Sequence, residues 1–359
     1  MLERFKVPEA DQVIVDVEEM RDATEQIFLA MGLRSDDAVQ SADVLMFNDL
    51  RGVETHGVSN MLRSYVARYE AGRMNPTPEV RVERERDSVV SIDGDGGLGL
   101  HVAPLAMAMA IERAQEHGVG AATVHNVGHM GGAGYHAVLA LEHDMVGVAM
   151  STSGQLSMVP TFAAEPRFGT NPIAWAAPAA TMAPFVFDVG TTQVAQNKMR
   201  LARRVGAPIA PGWISSMDGT PIMEELAELP EKYYLLPLGS TRELGSHKGY
   251  GLAAVIDILT GMFSGIGPGF IALEPAFHFM AYRIEAFTDV DEFKANMDQL
   301  LRGLAETPPA PGHDRVIYAG QLEAEEERRR LADGIPYHTE VIAWFRETEE
   351  RLGLNFAFV

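Results

Sequence analysis

Cysteine is absent from all 359 residues. That excludes disulfide scaffolds, thiolate zinc sites, cysteine-ligated iron–sulfur clusters and cysteine nucleophiles. It also fits a reducing compartment, and the expectation is a cytoplasmic protein. Long apolar runs are missing too. No stretch reaches the ~20 apolar residues that span a bilayer, and the charged opening MLERFKVPEADQVIVDVEEM has nothing like the apolar segment of a signal peptide. The nearest approach, GLAAVIDILTGMFSGIG at 251–267, carries Asp257 and four glycines and reads as a buried helix. Basic residues are scarce: 29 Lys and Arg face 50 Asp and Glu, a net charge of −21. Such a surface repels phosphate backbones, so neither nucleic acid nor an anionic membrane is expected as a partner.

What is present is a core-forming composition, 47% apolar and 22% charged, with a length that suggests about two domains. The N-terminal ~75 residues carry helical periodicity at 17–31, after Ser35-Asp36-Asp37, and from about Ser59 to Tyr69. MNPTPEV at 74–80 breaks it. Strand and helix patterns then alternate: SVVSI at 88–92, a helix at 104–118, GAATV at 120–124, a helix at 132–144 and MVGVAMST at 145–152. Apolar strands at 168–179 and 185–192, a helix near 248–263 and a strand–turn–helix at 276–301 follow, with charged helices at 323–334 and about 338–352. Alternation of this kind argues for an α/β core.

Residues 94–99, GDGGLG, spell a formal G-x-G-x-x-G between a strand and a helix pattern, where a dinucleotide fingerprint belongs. Asp93 and Asp95 would set carboxylates beside a pyrophosphate, and the next strand ends in Val124-His125-Asn126 instead of an acidic residue. The segment is read as a turn.

Four other glycine-dense segments hold ionisable residues: DLRGVETHGVSNM at 49–61, HNVGHMGGAGYH at 125–136, FVFDVGTTQVAQNK at 185–198 and GSHKGYGLAAVID at 245–257. Glycine lets backbone or ligand approach closely. Histidine is the usual general base near neutral pH, and equally a buried hydrogen-bonded residue, so His56 and His129 are open to both readings. Asp188 closes an apolar strand, where α/β ligands collect, or caps the VGTT turn. Lys248 at a helix start opposes the helix dipole, a hint of an anionic partner. His125, His129, His136 and His143 are spaced so that part of the set could share a helix face. No carboxylate motif accompanies them, and no metal is expected.

Taken together, these segments resemble the malate/L-lactate dehydrogenase family, which includes ureidoglycolate dehydrogenase, sulfolactate dehydrogenase, diketogulonate reductase and cyclic ketimine reductases. RGVETHG, GHMGGAGY, FGTNPIAWAAP, FDVGTT, HKGYGLAAVIDILTGMFSG and PAPGHDR occur in family order between residues 17 and 335. The resemblance implies an α/β, non-Rossmann NAD(P)-binding fold with a central mixed sheet. It also implies a helical domain from residues 1–80 with about 300–359, around a cofactor- and substrate-binding core at 81–299. It implies a homodimer that moves a hydride between NAD or NADP and a small 2-hydroxy or 2-oxo acid. By the same resemblance His129 is the proton acceptor and donor, with His56 and Asp188 beside it in the catalytic set. Arg51, Thr55, His56 and Asn60 fall on the substrate side. Ser153, Gly169, Thr170, Asn171, Asp188, Val189, Gly190, Lys248 and Gly249 fall on the cofactor side. One position departs: Asn60 stands where many members have arginine, which grips a carboxylate bidentately. Arg51 or Arg63 could replace that charge, or the substrate is larger, less acidic or an imine. The alternatives are therefore a ureidoglycolate dehydrogenase or ketimine reductase activity on the same scaffold, and a relative that binds nucleotide or acid without turnover.

Overall fold

A computed structural model describes residues 3–359, so residues 1 and 2 of the expected helical unit lie outside the described residues. After strand β1 (Gln12–Val15), three helices follow, α1 (Val17–Ala30), α2 (Ser35–Leu50) and α3 (Val58–Glu70). The α1 start is set by Asp16, whose carboxylate accepts the Glu18 and Glu19 N–H groups, an N-cap that satisfies two otherwise free donors. Across the chain, β11 (Ile335–His338) pairs antiparallel with β1 and leads into α11 (Thr339–Leu352). Met20, Ile27, Phe28, Leu45, Leu62 and Tyr65 therefore share one apolar core with Tyr337 and Phe345.

A seven-stranded sheet forms the second core. Its order is β2 (Arg81–Arg86), β3 (Val89–Gly97), β4 (Val119–Val127), β10 (Ala276–Arg283), β5 (Met145–Thr152), β6 (Ile173–Ala177) and β7 (Phe185–Val189). Only β3 and β4 run parallel, joined by α4 (Gly99–His117); every other neighbouring pair is antiparallel. On one face, alanines and Phe277 and Phe279 meet α4 and α5 (Ala133–Val138). The helices lie very close: a Cβ at Gly120 would come 2.0 Å from the Ala110 carbonyl oxygen, and one at Gly147 2.1 Å from that of Ala137.

A third, smaller core joins α6 (Gln196–Val205), the hairpin of β8 (Ile214–Ser215) and β9 (Tyr234–Leu235), and Phe5. The other sheet face is covered at one end by α7 (Ser246–Asp257), which continues into a π-helical turn at Ile258–Met262. Then come α8 (Gly269–Ala272), α9 (Val290–Ala305) and α10 (Gln321–Asp333).

Four expectations need correction. The apolar segment 251–267 is not buried in the chain: Leu252, Val255, Ile258, Met262 and Phe263 form an exposed stripe at helical spacing, with Phe263 60% exposed. Only the opposite side, with Ala253, Ile256 and Asp257, faces the sheet. The helix expected from Pro104 begins at Gly99, and the proline lies inside its early turns. The helix expected at 132–144 is α-helical only to Val138 and continues as a 3₁₀ turn at Leu139–His143. The four histidines share no helix face, because His125 lies on β4, His129 in the loop after it, His136 on α5 and His143 on that 3₁₀ turn.

Candidate active site

The loop at 51–57 carries Thr55 and His56, and it is held from behind. A Cβ on Gly57 would fall 1.6 Å from Asp49 Oδ1, so only glycine fits against that buried carboxylate. Asp49 Oδ2 accepts the Val58 N–H (3.0 Å) and the Tyr337 hydroxyl (2.7 Å). Arg330 donates to the Asp49 carbonyl (2.7 Å) and to Glu54 Oε1 (2.7 Å), and all these groups are buried. In front, the Thr55 carbonyl accepts from the side chains of Asn60 (3.1 Å) and Asn197 (2.9 Å), and Thr55 Oγ1 lies 2.9 Å from His56 Nδ1.

The second segment follows β4. GDGGLG forms a bulged strand end and the tight start of α4. Asp95 Oδ2 accepts the Glu79 N–H, and Asp95 and Gly96 take positive φ in a bulged strand end. Gly99 starts α4 so tightly that a Cβ would lie 2.7 Å from the Gly128 carbonyl oxygen. The motif thus buttresses residues 128–130. His129 emerges there with its ring nearly parallel to that of His56, 5.8 Å between centroids and 12° between planes. Its Nδ1 lies 2.7 Å from the Tyr65 hydroxyl and 3.2 Å from the Gly131 nitrogen. Both imidazoles are enclosed by protein yet partly open to solvent, as in a cleft. Burial brings the His129 pKa down to about 3, with the His56 ring adding to it. Burial, then the Lys198 charge, brings His56 down to about 4. Both rings are therefore neutral at neutral pH.

Asp188, the residue before the end of β7, accepts the Gly134 N–H at 2.7 Å, which ties that strand to the segment following His129. Its side chain is exposed to solvent, and the protein atoms crowded around it push its pKa up to about 6. From there one contact leads to the next. Thr191 donates its N–H to the Thr170 carbonyl, Gly169 abuts Ser153, and Asn171 Nδ2 donates to Ala253 of α7 (3.1 Å) while its buried Oδ1 has no partner. Gly249 packs on the Leu238 backbone, and Lys248 beside it is exposed. These contacts join Ser153, Gly169, Thr170, Asn171, Asp188, Val189 and Gly190 and end at Gly134, five residues after His129, while Lys248 and Gly249 stand on α7, which Asn171 touches at Ala253.

The cations expected on the substrate side are engaged in ion pairs with the C-terminal helices. Arg51 pairs with Glu327 at 2.8 Å and lies over the Phe47 ring; Arg63 pairs with Glu340 at 2.8 Å and lies over Trp344. Asn60 is buried against Thr55. Three residues at the site were not picked out from the sequence: Tyr65, Asn197 and Lys198. The last two sit on the first turn of α6, whose short polar pattern QNKMRLARRV was not read as a helix. Among the described residues no cluster of three His, Asp or Glu side chains could hold a metal ion.

Residues 15–346 match the family model described as malate/L-lactate dehydrogenase. A malate dehydrogenase of Pyrococcus abyssi is 35% identical over 99% of this chain and 99% of its own length. An L-sulfolactate dehydrogenase of Methanocaldococcus jannaschii is 30% identical over 90% of this chain and 93% of its own. Among solved structures, malate dehydrogenase from Entamoeba histolytica superimposes with a TM-score of 0.91 at 30% identity, covering 96% of this chain and 99% of that one. With the parallel histidines, the mixed sheet and a match along nearly its whole length, the chain belongs to the malate/L-lactate dehydrogenase family.

Proposed function

We propose that this enzyme moves a hydride between NAD or NADP and a small 2-hydroxy or 2-oxo acid, with His129 as its acid and base. The observation that carries the reading is the neutral His129 imidazole held on Tyr65 beside His56. The residues along the cofactor-side wall fit a nicotinamide dinucleotide. Lys248 offers a cation for phosphate, Asp188 a solvent-reached carboxylate for ribose hydroxyls, and Asn171 an unpaired buried oxygen. When bound, the nicotinamide supplies the hydride acceptor or donor. The chain's own residues do the proton work: His129 takes the hydroxyl proton in oxidation and returns it in reduction, while Thr55 and His56 orient the substrate. A larger or less acidic substrate, such as ureidoglycolate or a cyclic imine, is the second reading. It is favoured by the uncharged, buried Asn60. A relative without turnover would have no use for a poised pair of histidines.

The test is His129→Ala. General acid–base catalysis contributes typically ~10²–10⁴-fold, so kcat falls by that order while nicotinamide binding survives. Rates are followed at the nicotinamide absorbance with each cofactor over 2-oxo acids, ureidoglycolate and cyclic imines. Near-normal turnover in the variant would move the role to His56.

The same reading makes the enzyme a homodimer in the cytoplasm. The stripe from Leu252 to Phe263 continues into Phe270, Ile271 and Leu273, with Ile271 69% exposed. An apolar face of that kind is typical of surfaces that meet another protein. The described residues contain no helix long and apolar enough to cross a membrane. The division into a helical unit from both chain ends and an α/β core at 81–299 belongs to the same proposal, and the separate apolar clusters support it.

A further inference from the structure

We propose that Asn60 and Asn197 are positioning residues that hold His56 through one shared carbonyl, so that position 60 serves the histidine loop and not the substrate. The proposal rests on the reading of His56 as a group that orients the substrate. Asn60 stands on the first turn of α3 and Asn197 on the first turn of α6. Both side chains reach the Thr55 carbonyl oxygen, at 3.1 Å and 2.9 Å. A carbonyl only accepts, so each amide must turn its nitrogen toward it. Among the described residues that oxygen takes no backbone N–H, and Thr55 is buried, so the two side chains are what satisfies it.

The shared acceptor is one bond from the chemistry. The Thr55 carbonyl and the His56 N–H belong to the same peptide unit, and that N–H donates to the Val53 carbonyl at 3.0 Å. The peptide plane is thus held at both ends, by a backbone acceptor on one side and by two amides on the other. The His56 ring is carried by that plane, with Thr55 Oγ1 2.9 Å from its Nδ1 and the His129 ring parallel to it at 5.8 Å. A tilt of the peptide would move both contacts.

The arrangement gives the asparagine at position 60 a use of its own. It is buried, and its nitrogen is turned back on residue 55 of its own loop. The amide therefore does not stand in for the arginine grip on a carboxylate, and that grip has to come from a cation on another element. Asn197 adds a second effect, because it joins α6 to the peptide that carries His56. Two turns further along, Arg204 donates to the Ser59 carbonyl (3.1 Å) and pairs with Glu340 (2.8 Å). With α6 tied at both places to the segment at 55–59, a shift of its first turn pulls directly on the Thr55 carbonyl.

Asn60→Ala and Asn197→Ala each leave the carbonyl one donor, so kcat on the most active 2-oxo acid falls by only about threefold in either. The double variant leaves a buried acceptor unpaired and the His56 peptide free to tilt, and kcat falls by at least ~50-fold, well beyond the product of the single effects. In Asn60→Ala the 2-oxo acid KM and the cofactor Kd stay within about twofold, since no substrate contact is removed. In ¹⁵N spectra of asparagine-labelled protein the Asn60 side-chain N–H moves downfield in Asn197→Ala, and that of Asn197 does so in Asn60→Ala, as each becomes the sole donor. The proposal is overturned if those signals stay in place or if the single effects simply multiply in the double variant. It is also overturned if Asn60→Ala raises KM by about tenfold at unchanged kcat, the mark of a lost substrate contact. The spectra are read on the single variants without turnover, so they decide the matter even where the double variant does not fold. Wild-type turnover in His56→Ala, by contrast, would sink the reading of His56 whatever the amide signals show.

Discussion

Asp49 shows how much of the site is decided by residues that no substrate touches. Burial raises its carboxyl pKa to about 7, and the Tyr337 and Val58 hydrogen bonds only partly offset that. The folded protein therefore holds this proton more tightly than the unfolded chain, and the associated stability is complete below pH ~4 and lost as pH rises through about 7. At roughly 1.4 kcal/mol per pKa unit the loss amounts to a few kcal/mol. Asp49→Asn accepts the same two hydrogen bonds without a charge to desolvate. Its Tm, relative to wild type, should climb by a few degrees between pH 5 and pH 8 in a thermal scan. A constant difference across that range would mean the carboxyl is ionised throughout. His56 and His129 were visible in the sequence because glycines surround them. Asp49 and Tyr65 were not, since a helical pattern shows which face is inward but not what an inward polar group will meet.

Among elements, α6 was the least legible and bears on the active site directly. Its apolar positions Met199, Leu201 and Ala202 serve a small satellite core, so its periodicity is short and diluted by arginine. Yet Asn197 anchors its first turn to Thr55, and the next residue, Lys198, forms no ion pair among the described residues. Burial lowers the pKa of that ammonium, while Glu323 raises it. With Arg51 and Arg63 engaged, Lys198, whose charge acts on His56, is the cation we predict to meet a substrate carboxylate. A hydrogen bond to a charged group is worth ~1.5–3 kcal/mol, or roughly 10- to 100-fold in affinity. Lys198→Met should raise the KM for pyruvate or oxaloacetate by about that factor, and Lys198→Arg should restore part of it. An unchanged KM in the methionine variant would send the search back to position 60. The glycine motif at 94–99 is a different case: a local pattern that looks chemical, read from its neighbouring aspartates as a turn, whose Gly99 packs against the backbone of residues 128–130.

For the molecule as a whole, alternating strands and helices suggested an α/β core but could not give its pairing. Inserting β10, from residue 276 onward, between β4 and β5 is a long-range choice that leaves no local trace. The exposed stripe on α7 is likewise a property of the assembled surface. Ile258→Asp combined with Phe263→Asp should convert a dimer into 39.1 kDa monomers in light scattering. A wild-type protein that already runs at that mass would remove the homodimer from the reading. The backing of the histidine loop by Arg330 and Tyr337 has a further consequence in time. Tyr337 follows Asp49 by 288 residues. At ~5–20 residues per second of synthesis, roughly 15–60 s separate their appearance at the ribosome. Throughout that interval Asp49 and Glu54 have neither the phenol nor the guanidinium that lets them be buried, and they stay hydrated. The backing of the histidine loop is thus completed only once residues 330–337 have been made and have reached Asp49 and Glu54.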